Sequence, residues 1–191
     1  MVFKFIAISG SLRAGSKNTT LLRAAIKLNT SENLQIEEYD ISSLPLYNQD
    51  LEIVSGEGAD AVTTFPESVT ALRDAVRTAS GLLLCSPEHN FIMSAAMKNV
   101  IDWLSRGQVL AGKTVAIMSA AGTMGGLGAA SSIEKICLGL TWLNIRIVSQ
   151  RIEMKLFDGV IKFNDTGDLI HEETVGYVKR MLREMEMCSS N

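Results

Sequence analysis

Residues 3–26, FKFIAISGSLRAGSKNTTLLRAAI, decide the fold. Phe3 to Ser9 is an apolar run broken only by Lys4 and closed by polar residues, which reads as a buried strand. It is too short for a secretory or membrane segment, the latter needing about 20 apolar residues. From Asn18 onward, Leu21, Leu22, Ala25 and Ile26 fall on one face of a helix. Between strand and helix lies the tight polar loop GSLRAGSK, so the stretch is a strand, a loop and a helix in succession.

The same unit recurs along the chain. Leu34 to Tyr39 alternates like a half-buried strand, and residues 40–63, with Pro45 and the glycines of SGEG, read as a long surface connection. Val69, Leu72, Ala75, Val76 and Ala79 then mark a helix face, and Gly81 opens the apolar run LLLC of a strand covered on both sides. After the loop SPEHNFIM come a helix through Met97, Val100, Ile101 and Leu104 and the strand KTVAIMS. A glycine-rich loop, a helix with Ile133, Ile136, Cys137 and Leu140, and a fifth strand near Asn144 to Val148 follow. Val175, Val178, Met181, Leu182 and Met185 predict a terminal amphipathic helix.

Strands alternating with helices imply a parallel sheet with helices on both faces. Repeated βα units match an α/β three-layer sandwich of the flavodoxin-like type, its five-stranded parallel sheet in the order 2-1-3-4-5. The chain direction then reverses between strands 1 and 3, and a ligand crevice opens at the strand ends there. The loops after Ser9 and Cys85 should line it, with the loop after Ser119 beside them. At 191 residues, one domain over 1–191 is expected.

Composition removes several classes of function. A net charge of −3, from 18 Lys and Arg against 21 Asp and Glu, offers no excess of positive charge for a nucleic acid partner. The three cysteines lack metal-ligand spacing, and their odd number suits neither a disulfide framework nor a zinc site. A reducing, cytoplasmic compartment fits, and no membrane association is expected. Glycosylation-type tripeptides at Asn18, Asn29 and Asn164 carry no weight without secretion.

In the first loop, Ser11, Ser16, Asn18, Thr19 and Thr20 surround a helix N-terminus, where free amides and the dipole attract an anion, and Arg13 adds a directed donor. A Ser/Gly loop can equally be a cap and turn, although its place after the first strand favours the anion site. Ser16, Lys17 and Asn18 break the Gly-Lys-Ser/Thr order of a P-loop, which disfavours a triphosphatase. In the second loop Pro87 stiffens the backbone, so that its amides can meet the edge of a flat heterocycle such as a flavin ring. Glu88 and His89, without a third partner, make a poor metal set or triad, and no metal site is expected. The third loop, SAAGTMGGLGAA, reads as a flexible turn or as a wall for the ring. Cys85, Met93, Met97 and Trp103 read as packing residues.

Taken together, GSLRAGSKN, PEHNFIMSAAMKNVIDWLSR and GTMGG resemble the NADPH-dependent FMN reductase family with its quinone, azo-dye and chromate reductases. The resemblance implies FMN as cofactor and NADPH or NADH as electron donor. It implies a small acceptor such as a quinone, an azo dye, chromate or free flavin. By the same resemblance Ser11, Arg13, Ser16, Asn18, Thr19 and Thr20 hold the phosphate, Pro87, Glu88, His89 and Asn90 flank the ring, and Ser119 and Gly122 lie close by. A homodimer or homotetramer is expected from the family, and from the apolar helix Ala95 to Leu104.

This chain departs from the family at His89, where Tyr is usual, and at Ser94 and Ala95, where Pro-Gly is usual. Leu127 and Gly128 stand where an Arg often follows the paired glycines. With the cofactor carrying the chemistry, no side-chain acid or base is required. The alternatives are an electron carrier of flavodoxin type, which the 6% aromatic content disfavours, and a non-enzymatic FMN-binding sensor.

Overall fold

The computed structural model describes residues 1–56, 62–122 and 125–190. Glu57 and Gly58 of the expected SGEG turn, and Thr123 and Met124 of the glycine-rich loop, lie outside the described residues.

Strand β1 (Phe3–Ser9) leads through the first polar loop into helix α1 (Lys17–Leu28), and β2 (Leu34–Tyr39) follows. A short antiparallel pair, β3 (Ile53–Ser55) with β4 (Val62–Thr64), precedes helix α2 (Glu67–Thr78) and strand β5 (Gly81–Cys85). A two-residue ladder, β6 (Glu88–His89) with β7 (Ile92–Met93), leads into α3 (Ala95–Leu104) and β8 (Thr114–Ala121). Helix α4 (Leu127–Gly139), the short strands β9 (Arg146–Ile147) and β10 (Ile152–Lys155), and helix α5 (Glu172–Ser190) complete the described chain.

The main sheet runs β10-β8-β5-β1-β2 with every pairing parallel, which is the flavodoxin-like order 2-1-3-4-5 expected from the sequence. Alternate residues of the central strands bury opposite faces. Phe5, Ala7, Leu83, Cys85, Met118 and Ala120 pack with Leu21, Leu22, Val178 and Met181 of α1 and α5. Ile6, Ile8, Leu82, Leu84 and Ile117 pack with residues of α2, α3 and α4, among them Leu72, Val76, Met97, Val100 and Ile133. Such two-sided burial explains why the central strands read as unbroken apolar runs. Gly81 is required by packing, because a Cβ there would lie 2.0 Å from the Thr114 carbonyl oxygen.

The fifth strand differs from its expected bounds. Arg146–Ile147 only begins it, pairing with Thr114 and Val115, and it resumes at Ile152–Lys155 beside Met118 to Ala121. From Ile147 to Ile152 the edge advances five residues while β8 advances three, from Val115 to Met118, so two extra residues bulge from the ladder. Glu184 of α5 satisfies the bulge, accepting from Ser149 Oγ at 2.7 Å and from the Gln150 amide at 3.0 Å.

The connection at 40–63 is more built than a surface loop. Ile41 is buried, a turn of 3-10 helix spans Gln49–Leu51, and the Pro45 carbonyl accepts from Asn99 Nδ2 and from Trp103 Nε1, each at 2.9 Å. Trp103 is fully buried, as its packing role requires. Among the described residues no helix is long and apolar enough to cross a membrane.

Candidate functional site

The carboxyl ends of β1, β5 and β8 bring three loops together. The first is tied down at both ends: the Gly10 amide donates to the Cys85 carbonyl at 2.8 Å, and Ser9 Oγ shares a 2.8 Å hydrogen bond with Thr19 Oγ1. Ser16 caps α1, its buried hydroxyl accepting from the Thr19 amide at 3.3 Å, and Thr20 Oγ1 donates to the Ser16 carbonyl at 3.0 Å. The amides of Leu12, Arg13, Ala14 and Gly15 meet no acceptor among the described residues. Arg13 is exposed and has no charged partner among them.

Ser11, Arg13 and Thr19 line a hollow of about 420 Å³ together with Arg23, Glu38 and Asp40. Arg23 is engaged there, its Nε and Nη2 donating to the Glu38 carboxylate at 2.8 and 2.9 Å. Arg13 is therefore the free cation of this wall among the described residues.

Asn18 departs from the role expected of its side chain. It is buried, its Nδ2 donates to the Ala120 carbonyl and its Oδ1 accepts from the Ala120 amide, both at 2.8 Å. The amide thereby works as a peptide surrogate that fastens the start of α1 to β8, which removes its side chain from direct phosphate contact. Cys85 Sγ donates to the Asn18 carbonyl at 3.3 Å, and full burial pushes the thiol pKa up.

In the second loop Ser86 is fully buried and its carbonyl accepts from Ser119 Oγ at 2.7 Å. Ser119 thus lies beneath the loops and supports them, rather than facing a ligand. Pro87 is half-buried, and His89 and Asn90 are exposed at the rim. Asn90 and Phe91 form the turn between β6 and β7 with φ of 53° and 65°, both in the left-handed region suited to a two-residue hairpin. The half-buried Glu88 reaches the start of α4: its Oε2 accepts from the amides of Gly128 and Ala129 at 2.7 and 3.2 Å. Gly122 closes β8, and a Cβ there would meet the ring of Phe157 at 3.4 Å.

Residues with no expected role complete the frame. Ser94, in place of the usual Pro, caps α3 by accepting from the Met97 amide at 3.1 Å, and its Oγ donates to the Gly10 carbonyl at 2.6 Å. A Cβ at Gly10 would fall 2.8 Å from Ser94 Oγ and from Met97 Cβ, so first loop and third helix meet at a glycine. The cap signature of Ser94 was visible in sequence, whereas its partner across the crevice was not. No group of His, Cys, Asp or Glu suited to a metal ion occurs among the described residues.

The arrangement sets a loop of amides with no acceptor among the described residues beside a proline-stiffened loop at a topological switch point, chemistry suited to an anion. A family model described as NADPH-dependent FMN reductase matches residues 3–150. The chain is 38% identical to an NADPH:quinone oxidoreductase of Arabidopsis thaliana, over 97% of this chain and 91% of the relative. It is 32% identical to an NAD(P)H-dependent FMN reductase of Pseudomonas aeruginosa, over 96% of this chain and 94% of that protein. Among solved structures it is similar to FerB, a flavoenzyme NAD(P)H:(acceptor) oxidoreductase from Paracoccus denitrificans, with a TM-score of 0.76, 25% identity and coverage of 97% and 98%.

Proposed function

Because the chain belongs to the NADPH-dependent FMN reductase family, we propose that it is an FMN-dependent oxidoreductase that passes two electrons from NADPH or NADH to quinones. Free flavin is a further two-electron acceptor, and azo dyes and chromate are further acceptors whose full reduction takes more than one such delivery. The observation that carries the reading is the cradle after β1, where four amides and Arg13 stand without partners among the described residues just before a helix N-terminus.

These residues fit the phosphate of FMN. The dianion needs several converging donors, and the amides of Leu12 to Gly15, the hydroxyls of Ser11 and Thr19 and the guanidinium of Arg13 supply them. Ser16 and Thr20 shape the helix start, while Asn18 and Ser94 hold the loop in place from either side. Pro87, His89 and Asn90 present a stiff backbone toward the ring, and Gly122 borders the same mouth. When bound, FMN supplies hydride acceptance from a nicotinamide and two-electron delivery to the acceptor. The protein's part is orientation: fixed backbone donors stabilise negative charge without reorganising, and no side chain is needed to move a proton.

We place the protein as one domain in the cytoplasm, in keeping with its three unpaired thiols, and as a homodimer or homotetramer. The apolar face of α3 does not support the assembly, since Met97, Val100, Ile101, Trp103 and Leu104 are all buried within the protomer. Exposed Leu138 of α4 and Trp142 of the 3-10 turn after it support it instead. The net charge of −3 argues against nucleic acid as a partner.

The test is a flavin titration followed by anaerobic addition of NADPH. The protein binds FMN, the flavin band bleaches, and a quinone restores it while NADPH is oxidised under turnover. Failure to bind FMN overturns the reading. Binding without turnover would leave a sensor or carrier.

A further inference from the structure

Helix α4 starts without a cap of its own. Gly126 at its N-cap has φ of 80° and no side chain to offer, so the first-turn amides need an acceptor from elsewhere. Glu88 provides it from the second loop, at 2.7 Å from the Gly128 amide and 3.2 Å from that of Ala129. A charged acceptor at the positive end of a helix is the favourable sign for such a cap.

Two further contacts close the same joint. A Cβ on residue 128 would lie 2.1 Å from the Phe91 carbonyl oxygen, so the turn rests on the helix only because Gly128 is a glycine. The Met93 amide donates to Ser132 Oγ of α4 at 2.9 Å. The turn held in this way is strained, since Phe91 is an aromatic residue at φ 65°. Strain of that kind persists only where the surroundings over-determine the backbone. Glu88, Gly128 and Ser132 supply that determination.

We infer that Glu88 is a positioning residue: by capping α4 across the crevice it fixes the loop 86–91 in the geometry that meets the flavin ring, its own carboxylate being committed to the helix amides. The inference rests on the proposed function. It also accounts for the adjacency of Pro87 and Glu88: one stiffens the loop from within and the other anchors it to a neighbouring helix.

The experiment titrates the full-length apoprotein with FMN and with riboflavin, which shares the ring and lacks the phosphate. Glu88→Ala should raise both dissociation constants by a similar factor, about tenfold, as expected for loss of one good cap. Glu88→Gln keeps an oxygen acceptor and should stay within roughly threefold of the parent. Should Glu88→Ala fail to fold, Ser132→Ala, which releases the Met93 amide, reads the same joint. Unchanged constants for both flavins together with a lower unfolding midpoint would overturn the inference, because a cap that merely holds the helix behaves so. A rise for FMN alone overturns it too, since the effect then belongs to the phosphate. If the parent protein binds neither flavin, the proposed function itself falls.

Discussion

Arg13→Ala separates a phosphate ligand from a solvated surface cation. Arg13 is exposed, lines the hollow, and belongs to a loop whose amides from Leu12 to Gly15, like its own guanidinium, meet no partner among the described residues. Removing it should change the stability of the apoprotein by no more than about 0.5 kcal/mol. A charge-assisted hydrogen bond to phosphate contributes about 1.5 to 3 kcal/mol, and about 1.4 kcal/mol is a factor of ten, so the FMN dissociation constant should rise roughly 10- to 100-fold. Riboflavin should be nearly unaffected. The Arg23–Glu38 pair in the same wall supplies no substitute, because that guanidinium is already held by its carboxylate. The loss should shrink as salt is added, since an exposed charge is screened. Fluorescence titration of both proteins with both flavins at fixed ionic strength is the assay. An equal loss for FMN and riboflavin, or none for either, refutes the phosphate role.

Asn18→Ala should behave in the opposite way, destabilising the apoprotein by roughly 2–4 kcal/mol because the buried amide and carbonyl of Ala120 lose their partners. A urea-unfolding difference below about 1 kcal/mol would count against it. In the native protein one thiol, Cys188, should react quickly with an aromatic disulfide reagent, and all three should react after denaturation. Cys85 and Cys137 are buried, and burial pushes the Cys137 thiol up to about 11, so little thiolate is available. The Asp168 carboxyl is held down to about 2, chiefly by its hydrogen bond from Lys27 and then by those from Thr166 and Asn164. A depressed folded pKa contributes stability above the unfolded value near 4 that fades as pH falls toward 2. Carboxyl carbon shifts should titrate in that window, and Lys27→Ala should move the midpoint upward.

The layer order was legible because the strands buried on both faces write themselves as apolar runs, Phe5 to Ile8 and Leu82 to Cys85, separated by helix-period segments. The resumption of the fifth strand was harder to read. Ile152 and Met154 do alternate with Glu153 and Lys155, but the polar bulge before them masks the continuity. The first loop disclosed its donors, whereas the direction of each side chain depends on partners far along the chain. Asn18 faces Ala120, Ser119 faces Ser86, and Glu88 faces Gly128. Residue type and local spacing identify who stands near a crevice. They do not tell a ligand contact from a strut, because both need polar atoms at loop positions.

The two borders of the sheet also govern how the protein behaves in company. A long regular border strand exposes a row of unpaired amides and carbonyls that can recruit a strand from a second molecule. Here one border, β2, carries Glu37 and Glu38, with Glu37 drawn onto Lys4 and Glu38 onto Arg23. The other is cut into two-residue and four-residue pieces by the bulge at Ser149 and Gln150, and Arg151 beside it pairs with Glu134 and Glu153. Charge guards one side and irregularity the other, so crowding should drive this chain toward contacts between side chains and away from fibre growth by strand addition.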